Sequence, residues 1–168
     1  LSVTRQDSSF NKATACHVQL LQPTHKNYTY KGGATLTDGL LGDKGFGTGR
    51  WLGFSGNDLE AVIDLKQNTD VSSVSLNTCV DKGSWIFDAR NIEVSVSADG
   101  KSFTKVASKS LPALEEQTPD NIYTYELTFP QTTTRYVKVT ATSEHNIPEW
   151  HGGKGKPAFL FVDEISVK

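Results

Sequence analysis

Apolar and polar residues alternate with a period of two through most of this chain. Ile92, Val94 and Val96 alternate with Glu93, Ser95 and Ser97, and Tyr123, Tyr125, Leu127 and Phe129 with Thr124, Glu126 and Thr128. Val137, Val139 and Ala141 alternate with Lys138, Thr140 and Thr142, and Ala61, Ile63 and Leu65 continue toward Val74 and Leu76. Successive side chains of a strand leave opposite faces, so each run predicts a strand with one buried face. Turn formers separate the runs: Ser55-Gly56-Asn57-Asp58, Asn68-Thr69-Asp70, Asp99-Gly100 and Pro119-Asp120-Asn121. Asp99-Gly100 is expected to close a hairpin through a type I′ turn. No stretch of a dozen residues has helical spacing. Several strands without helices predict an all-β protein, an antiparallel β-sandwich.

The last strand breaks the pattern. Ala158-Phe159-Leu160-Phe161-Val162 is apolar on both faces, and Asp163-Glu164 then precede Ile165-Ser166-Val167. Glu164 falls in phase with Leu160 and Val162, where an unpaired carboxylate is costly. An ion or an arginine must compensate it, or the strand must emerge into water. Asp163 and Glu164 are expected on opposite faces, which keeps them from acting together on one substrate.

At 168 residues with a net charge of −2, from 17 basic and 19 acidic residues mixed along the chain, there is no basic stripe for nucleic acid and no polybasic cluster for anionic lipid. The run from Ala158 to Val162 is too short to insert in a membrane. The chain begins at Leu1, has no methionine and shows no leader pattern, as expected of a processed or excised piece of something longer. Residues 1–29 are polar and weakly patterned, a lead-in or edge segment, and residues 30–168 carry the sandwich. Whether Cys16 and Cys79 pair is left open by the sequence.

Two regions have the composition of a site. Between Thr35 and Gly49 stand Asp38, Asp43, Thr48 and glycines 39, 42, 45, 47 and 49. Calcium takes about six to eight oxygens from carboxylates, hydroxyls and carbonyls, and a glycine-rich loop can turn carbonyls inward. Taken alone the loop reads first as an exposed turn, since Asp-Gly favours turns locally. The carboxylate of Glu164 shifts the balance, because a cation shared with Asp38 would tie the start of the fold to its last strand. The second region is aromatic. Trp85 lies in Ser84-Trp85-Ile86-Phe87, Trp150 and His151 lie among prolines and glycines, and Trp51 follows Arg50. Indole beside such polar groups is the chemistry of a sugar site, the ring meeting C–H groups and the polar atoms meeting hydroxyls. Indoles also plug the ends of sandwiches. Trp51 reads as a plug, Trp85 remains open and Trp150 leans to exposure. His145 and His151 lack the spacing of a helical zinc pair, and no nucleophile elbow, phosphate loop or dinucleotide fingerprint is present.

At these residues the chain resembles the discoidin, or coagulation-factor type C, superfamily, whose bacterial branch includes the family 32 carbohydrate-binding modules. The resemblance is carried by Leu36-Thr37-Asp38-Gly39 with Arg50-Trp51-Leu52-Gly53-Phe54, by Ala61-Val62-Ile63-Asp64-Leu65, and by Val94-Ser95-Val96-Ser97-Ala98-Asp99-Gly100 with Phe103. It continues through Thr134-Arg135-Tyr136-Val137-Lys138-Val139 and Val162-Asp163-Glu164-Ile165. The closing Pro148-to-Pro157 segment with Ser84-Trp85-Ile86-Phe87 is more narrowly similar to the C-terminal module of bacterial β-N-acetylhexosaminidases. The resemblance implies a galactose-binding-domain-like jelly roll, non-catalytic, appended to a secreted, periplasmic or cell-surface glycosidase. It implies a structural calcium near Asp38 and Glu164, with Leu36, Asp43 and Thr48 as further candidate donors. Galactose or an N-acetylhexosamine is the expected ligand class, and Arg50, Trp85, Trp150 and His151 are the candidate ligand residues on chemical grounds. The alternative is a module that binds no sugar and braces the catalytic domain of its parent glycosidase.

Overall fold

The alternating runs at 61–65 and 74–76 belong to one strand, and so do those at 123–129 and 137–141. The structure, a computed structural model, describes residues 10–45 and 47–168. Its strands are β1 His17–Leu20, β2 Leu52–Ser55, β3 Leu59–Val80, β4 Asn91–Ser97, β5 Thr104–Ser110, β6 Asn121–Thr142 and β7 Phe159–Val167. All strand pairings are antiparallel. Helical structure among the described residues is confined to short 3-10 turns.

The two 22-residue strands β3 and β6 each serve both layers. The first part of β3, through Asp64, pairs with β1 and with the second part of β6. The second part of β3, from Val71 to Val80, pairs with the first part of β6 and with β7. The ladder breaks between Asp64 and Thr69, where Lys66 takes φ 75°. Such a conformation is costly for a residue with a Cβ and has to be held. Asp64 holds it. Its carboxylate accepts the Lys66 N–H at 2.8 Å and receives Arg135 bidentately at 2.9 and 3.0 Å.

One layer is thus β1, the first part of β3, the second part of β6, β4 and β5. The other is β2, β7, the second part of β3 and the first part of β6. Their inner faces meet in a single cluster that joins Ile63, Val94 and Val139 to Val74, Leu127 and Val162. This is the antiparallel β-sandwich of jelly-roll type that the alternation and the resemblance predicted.

Three details depart from the sequence reading or complete it. Residues 98–103 connect β4 to β5, and φ is positive at Gly100 (76°) but not at Asp99, so the turn is not type I′. Instead the Asp99 carboxylate accepts the N–H groups of Lys101 and Ser102. The segment before residue 30 supplies edge strand β1, and Ala13, Cys16 and Val18 enter the core. Residues 1–9 of that segment lie outside the described residues. Cys16 and Cys79 are buried in different apolar clusters, Cys16 in the main core and Cys79 beside Trp51 and Phe161.

In β7 the register slips by one residue. Leu76 faces Ile165 while Thr78 faces Val162, so Asp163 and Glu164 together oppose Asn77. This is a β-bulge, which inverts side-chain parity along a strand. Val162 and Ile165 both reach the main core as a result. The expected opposition of Asp163 and Glu164 does not hold, for both carboxylates turn toward the loop after Asp38. No helix among the described residues is long and apolar enough to cross a membrane.

Candidate functional site

The loop that follows the 3-10 turn Gly32–Thr37 is gripped by the β7 bulge. Glu164 Oε2 accepts the Gly39 N–H at 2.8 Å, and Asp163 Oδ2 accepts the Gly42 N–H at 2.8 Å. Glu164 is 1% exposed, and its Oε1 is buried with no hydrogen-bond partner among the described residues. Burial, opposed by the Gly39 N–H and reinforced by the negative charges of Asp38 and Asp163, pushes the Glu164 carboxyl up to about 9. Asp38 meets Lys31 at 3.3 Å, and its Oδ1 accepts the Leu40 N–H. A carboxylate oxygen without a donor, with further carboxylates around it, suits a hard, oxygen-seeking cation.

The other candidate donors are placed differently. Asp43 is exposed and accepts the Gly45 N–H, and the Thr48 hydroxyl donates to the Gly45 carbonyl, so both stabilise their own turn. Leu36 is fully buried at the end of the 3-10 turn. No group of three or more His, Cys, Asp or Glu side chains that could hold a metal occurs among the described residues. A cation at Asp38 and Glu164 would therefore complete its shell from backbone oxygens.

Trp85, Trp150 and His151 come together at the end of the sandwich where β3 stops and β7 starts. Trp150 stacks on Phe87 with ring centroids 5.9 Å apart, and His151 meets Trp85, Phe87 and Trp150 edge-on at 6.0, 5.3 and 5.7 Å. Gly153 N–H donates to His151 Nδ1 at 2.9 Å, which leaves Nε2–H to donate to the Lys82 carbonyl at 2.7 Å. Trp85 itself is at φ 64°, with Gly153 against its ring and the Lys156 ammonium 5.8 Å from its centroid. Both indoles are half-buried and His151 has no ring nitrogen to spare. Arg50 is engaged elsewhere, donating to the Leu41 carbonyl at 3.2 Å. Trp51 is the plug that its position predicted. It is fully buried, packs with Cys79, Ile86 and Phe161, and donates Nε1–H to the Asp43 carbonyl at 2.6 Å.

Asp81 and Ile86 form an antiparallel bridge that closes a hairpin over 81–86, and beside it lies a cavity of about 190 Å³ lined by Lys44, Cys79, Val80, Asp81, Asp120, Asn121 and Ile122. Its walls come from three segments: the loop after Asp38, the end of β3 and the start of β6. Apolar Cys79, Val80 and Ile122 form one part of the lining, and an ammonium, two carboxylates and an amide form the rest. Asp120 is paired with Lys82 at 2.6 Å, and Asp81 caps the Lys82–Ser84 turn. Lys44 has no ion-pair partner among the described residues. The sequence marked Asp120 and Asn121 as turn formers and none of the seven as a site residue, and only the pairing of β3 with β6 brings them together.

Residues 12–156 match the family model described as F5/8 type C domain. Among solved structures, the chitosan-binding module 1 of a Paenibacillus chitosanase/glucanase superposes with TM-score 0.58 at 17% identity, covering 95% of this chain and 99% of that one. The lectin domain of lectinolysin, complexed with Lewis B antigen, gives 0.60 at 18% identity, covering 96% and 97%. A Ruminococcus gnavus family GH29 fucosidase gives 0.59 at 16% identity; the match covers 94% of this chain, which spans only 26% of that larger one. No curated protein matches the chain.

Proposed function

We propose, the chain being a member of the F5/8 type C domain family, that it is a non-catalytic carbohydrate-binding module of a secreted, periplasmic or cell-surface bacterial glycoside hydrolase. The observation that carries this reading is the cavity beside the 81–86 hairpin. It is the size of about one pyranose ring and offers donors and acceptors over an apolar wall, the pairing that sugars require. Lys44 and Asn121 can donate to ring hydroxyls, the Asp81 carboxylate can accept from them, and Ile122 and Val80 can meet the C–H face. The similarity to a chitosan-binding module and to a lectin domain supports the same class of ligand. Galactose and the N-acetylhexosamines are the ligands we assign, held weakly because a site of this size buries few ligand atoms.

A structural calcium belongs to the same proposal. Asp38 and Glu164 would hold it, and its charge would neutralise the carboxylates gathered under the loop. It takes no part in binding chemistry, and its role is to fix the loop that carries Lys44. A glycan array with the calcium-loaded domain tests the reading, and an array without binders for a domain that melts cooperatively would count against it.

A second reading has an observation of its own. Trp85 and Trp150, the expected sugar-stacking residues, each meet the ring of His151, Trp150 is stacked on Phe87, and both nitrogens of His151 are bonded to the loop backbone. A partly covered aromatic surface of this kind also suits packing on the catalytic domain of a parent enzyme. Under that reading, deleting the module lowers the stability of the parent and leaves its substrate range unchanged.

A further inference from the structure

We infer that Asp163, which is fully buried and lines no part of the cavity, is the positioning residue that holds the cavity's three walls in register; this rests on the carbohydrate reading of that cavity. Asp163 Oδ2 accepts the Gly42 N–H at 2.8 Å and the Asn77 side-chain amide at 2.9 Å, and Asn77 Oδ1 accepts the Thr124 hydroxyl at 2.6 Å. Gly42 leads into Lys44. Asn77 leads into Cys79, Val80 and Asp81. Thr124 follows Asn121 and Ile122. One carboxylate thus reaches every wall segment, directly or through a single amide, and the two bonds it accepts itself are of the kind that strengthens when the acceptor is charged. The contact behind the wall is equally close, for a Cβ on Gly42 would stand 2.2 Å from the Trp51 ring, which shares an apolar cluster with Cys79, and Ile122 packs against that cluster.

A carboxylate with this many donors can adopt this place only because the bulge turns it toward the loop. In regular register Asp163 would leave the opposite face from Glu164. Two jobs then fall to adjacent residues. Glu164 faces Asp38 and the loop's first turn, and Asp163 fixes the distance from that loop to the ends of β3 and β6.

The test uses the calcium-loaded chain, titrated calorimetrically with galactose, N-acetylgalactosamine and N-acetylglucosamine, in wild type, Asp163→Asn and Thr124→Val. Thr124 is exposed and β-branched, so its valine variant keeps the strand intact while removing the bond to Asn77. At a temperature where all three are fully folded, dissociation constants should rise about tenfold for Asp163→Asn and severalfold for Thr124→Val. Amide exchange should quicken at 42–45, 79–81 and 121–122 and stay unchanged at Val94 and Val137 in the other layer. Wild-type affinity in both variants overturns the role of Asp163, as does exchange that quickens evenly through both layers. A wild-type chain that binds none of these sugars overturns the carbohydrate reading, and the role falls with it.

Discussion

Asp163 and Glu164, neighbours on β7, both turn their carboxylates to the same loop, one to the N–H of Gly42 and the other to the N–H of Gly39. The loop before the second strand and the last strand of the fold are thereby joined across more than a hundred residues of sequence. Everything proposed for this domain, cation and sugar alike, depends on that junction.

The junction should titrate. The folded Glu164 carboxyl is pushed to about 9 from an ordinary 4.5, so between those values the folded state holds a proton that the unfolded chain has lost. Stability therefore falls as pH rises through that window in metal-free protein. Thermal melts in chelator from about pH 5 to about pH 9 should show a declining midpoint. Glu164→Gln, which cannot ionise, should remove most of the slope.

Calcium should act in the opposite sense. On the proposed site it would bind the ionised carboxylate, so its stabilising effect should grow with pH, and at a hundredfold excess over its dissociation constant it should add about 2.7 kcal/mol. Melts with and without calcium check this, and Glu164→Gln or Asp38→Asn should abolish the difference.

Gly42→Ala should destabilise the domain by about 1–3 kcal/mol, because the new methyl would overlap the buried Trp51 ring and the loop would have to move. Gly47→Ala, in the same loop with nothing within 4 Å, should stay within about 0.5 kcal/mol of wild type. Urea midpoints at constant m-value distinguish the two.

Tyr125→Phe tests a second buried carboxylate. Asp88 is 7% exposed and accepts from the Thr78 hydroxyl, the Tyr125 hydroxyl and the Ala89 N–H. Burial raises its proton affinity, and those donors oppose the rise. Loss of the tyrosine hydroxyl should cost about 1–3 kcal/mol in urea unfolding near neutral pH, and less in acid, where Asp88 can protonate.

Much of the sandwich was legible in the sequence, because a half-buried strand must alternate and these strands do. What the alternation could not show was that two pairs of runs are single strands. The joint within β3 depends on Asp64 and Arg135, which lie 71 residues apart in the chain. The need for a partner at Glu164 was legible because a carboxylate inside an apolar strand must be compensated, although the bulge takes it off the face of Leu160 and Val162 where the alternation had put it. The orientation of Asp163 was not, since the bulge that turns it is set by pairing with Asn77. Trp85, Trp150 and His151 were foreseen as residues of interest, yet their mutual packing was hidden by the three strands, β4 to β6, that separate Trp85 from the other two in the chain. The cavity was least visible of all. Lys44, Asp81 and Asn121 have no pattern of their own, and tertiary pairing alone makes them neighbours.

The most direct test is a calorimetric titration of the calcium-loaded domain with galactose, N-acetylgalactosamine and N-acetylglucosamine, repeated on Lys44→Ala, Asn121→Ala and Trp150→Ala. The account predicts saturable binding of at least one sugar, weakened severalfold or more by both cavity substitutions and little changed by Trp150→Ala. Absence of binding in a domain that melts cooperatively would contradict it. So would binding that survives both cavity substitutions and is lost with Trp150.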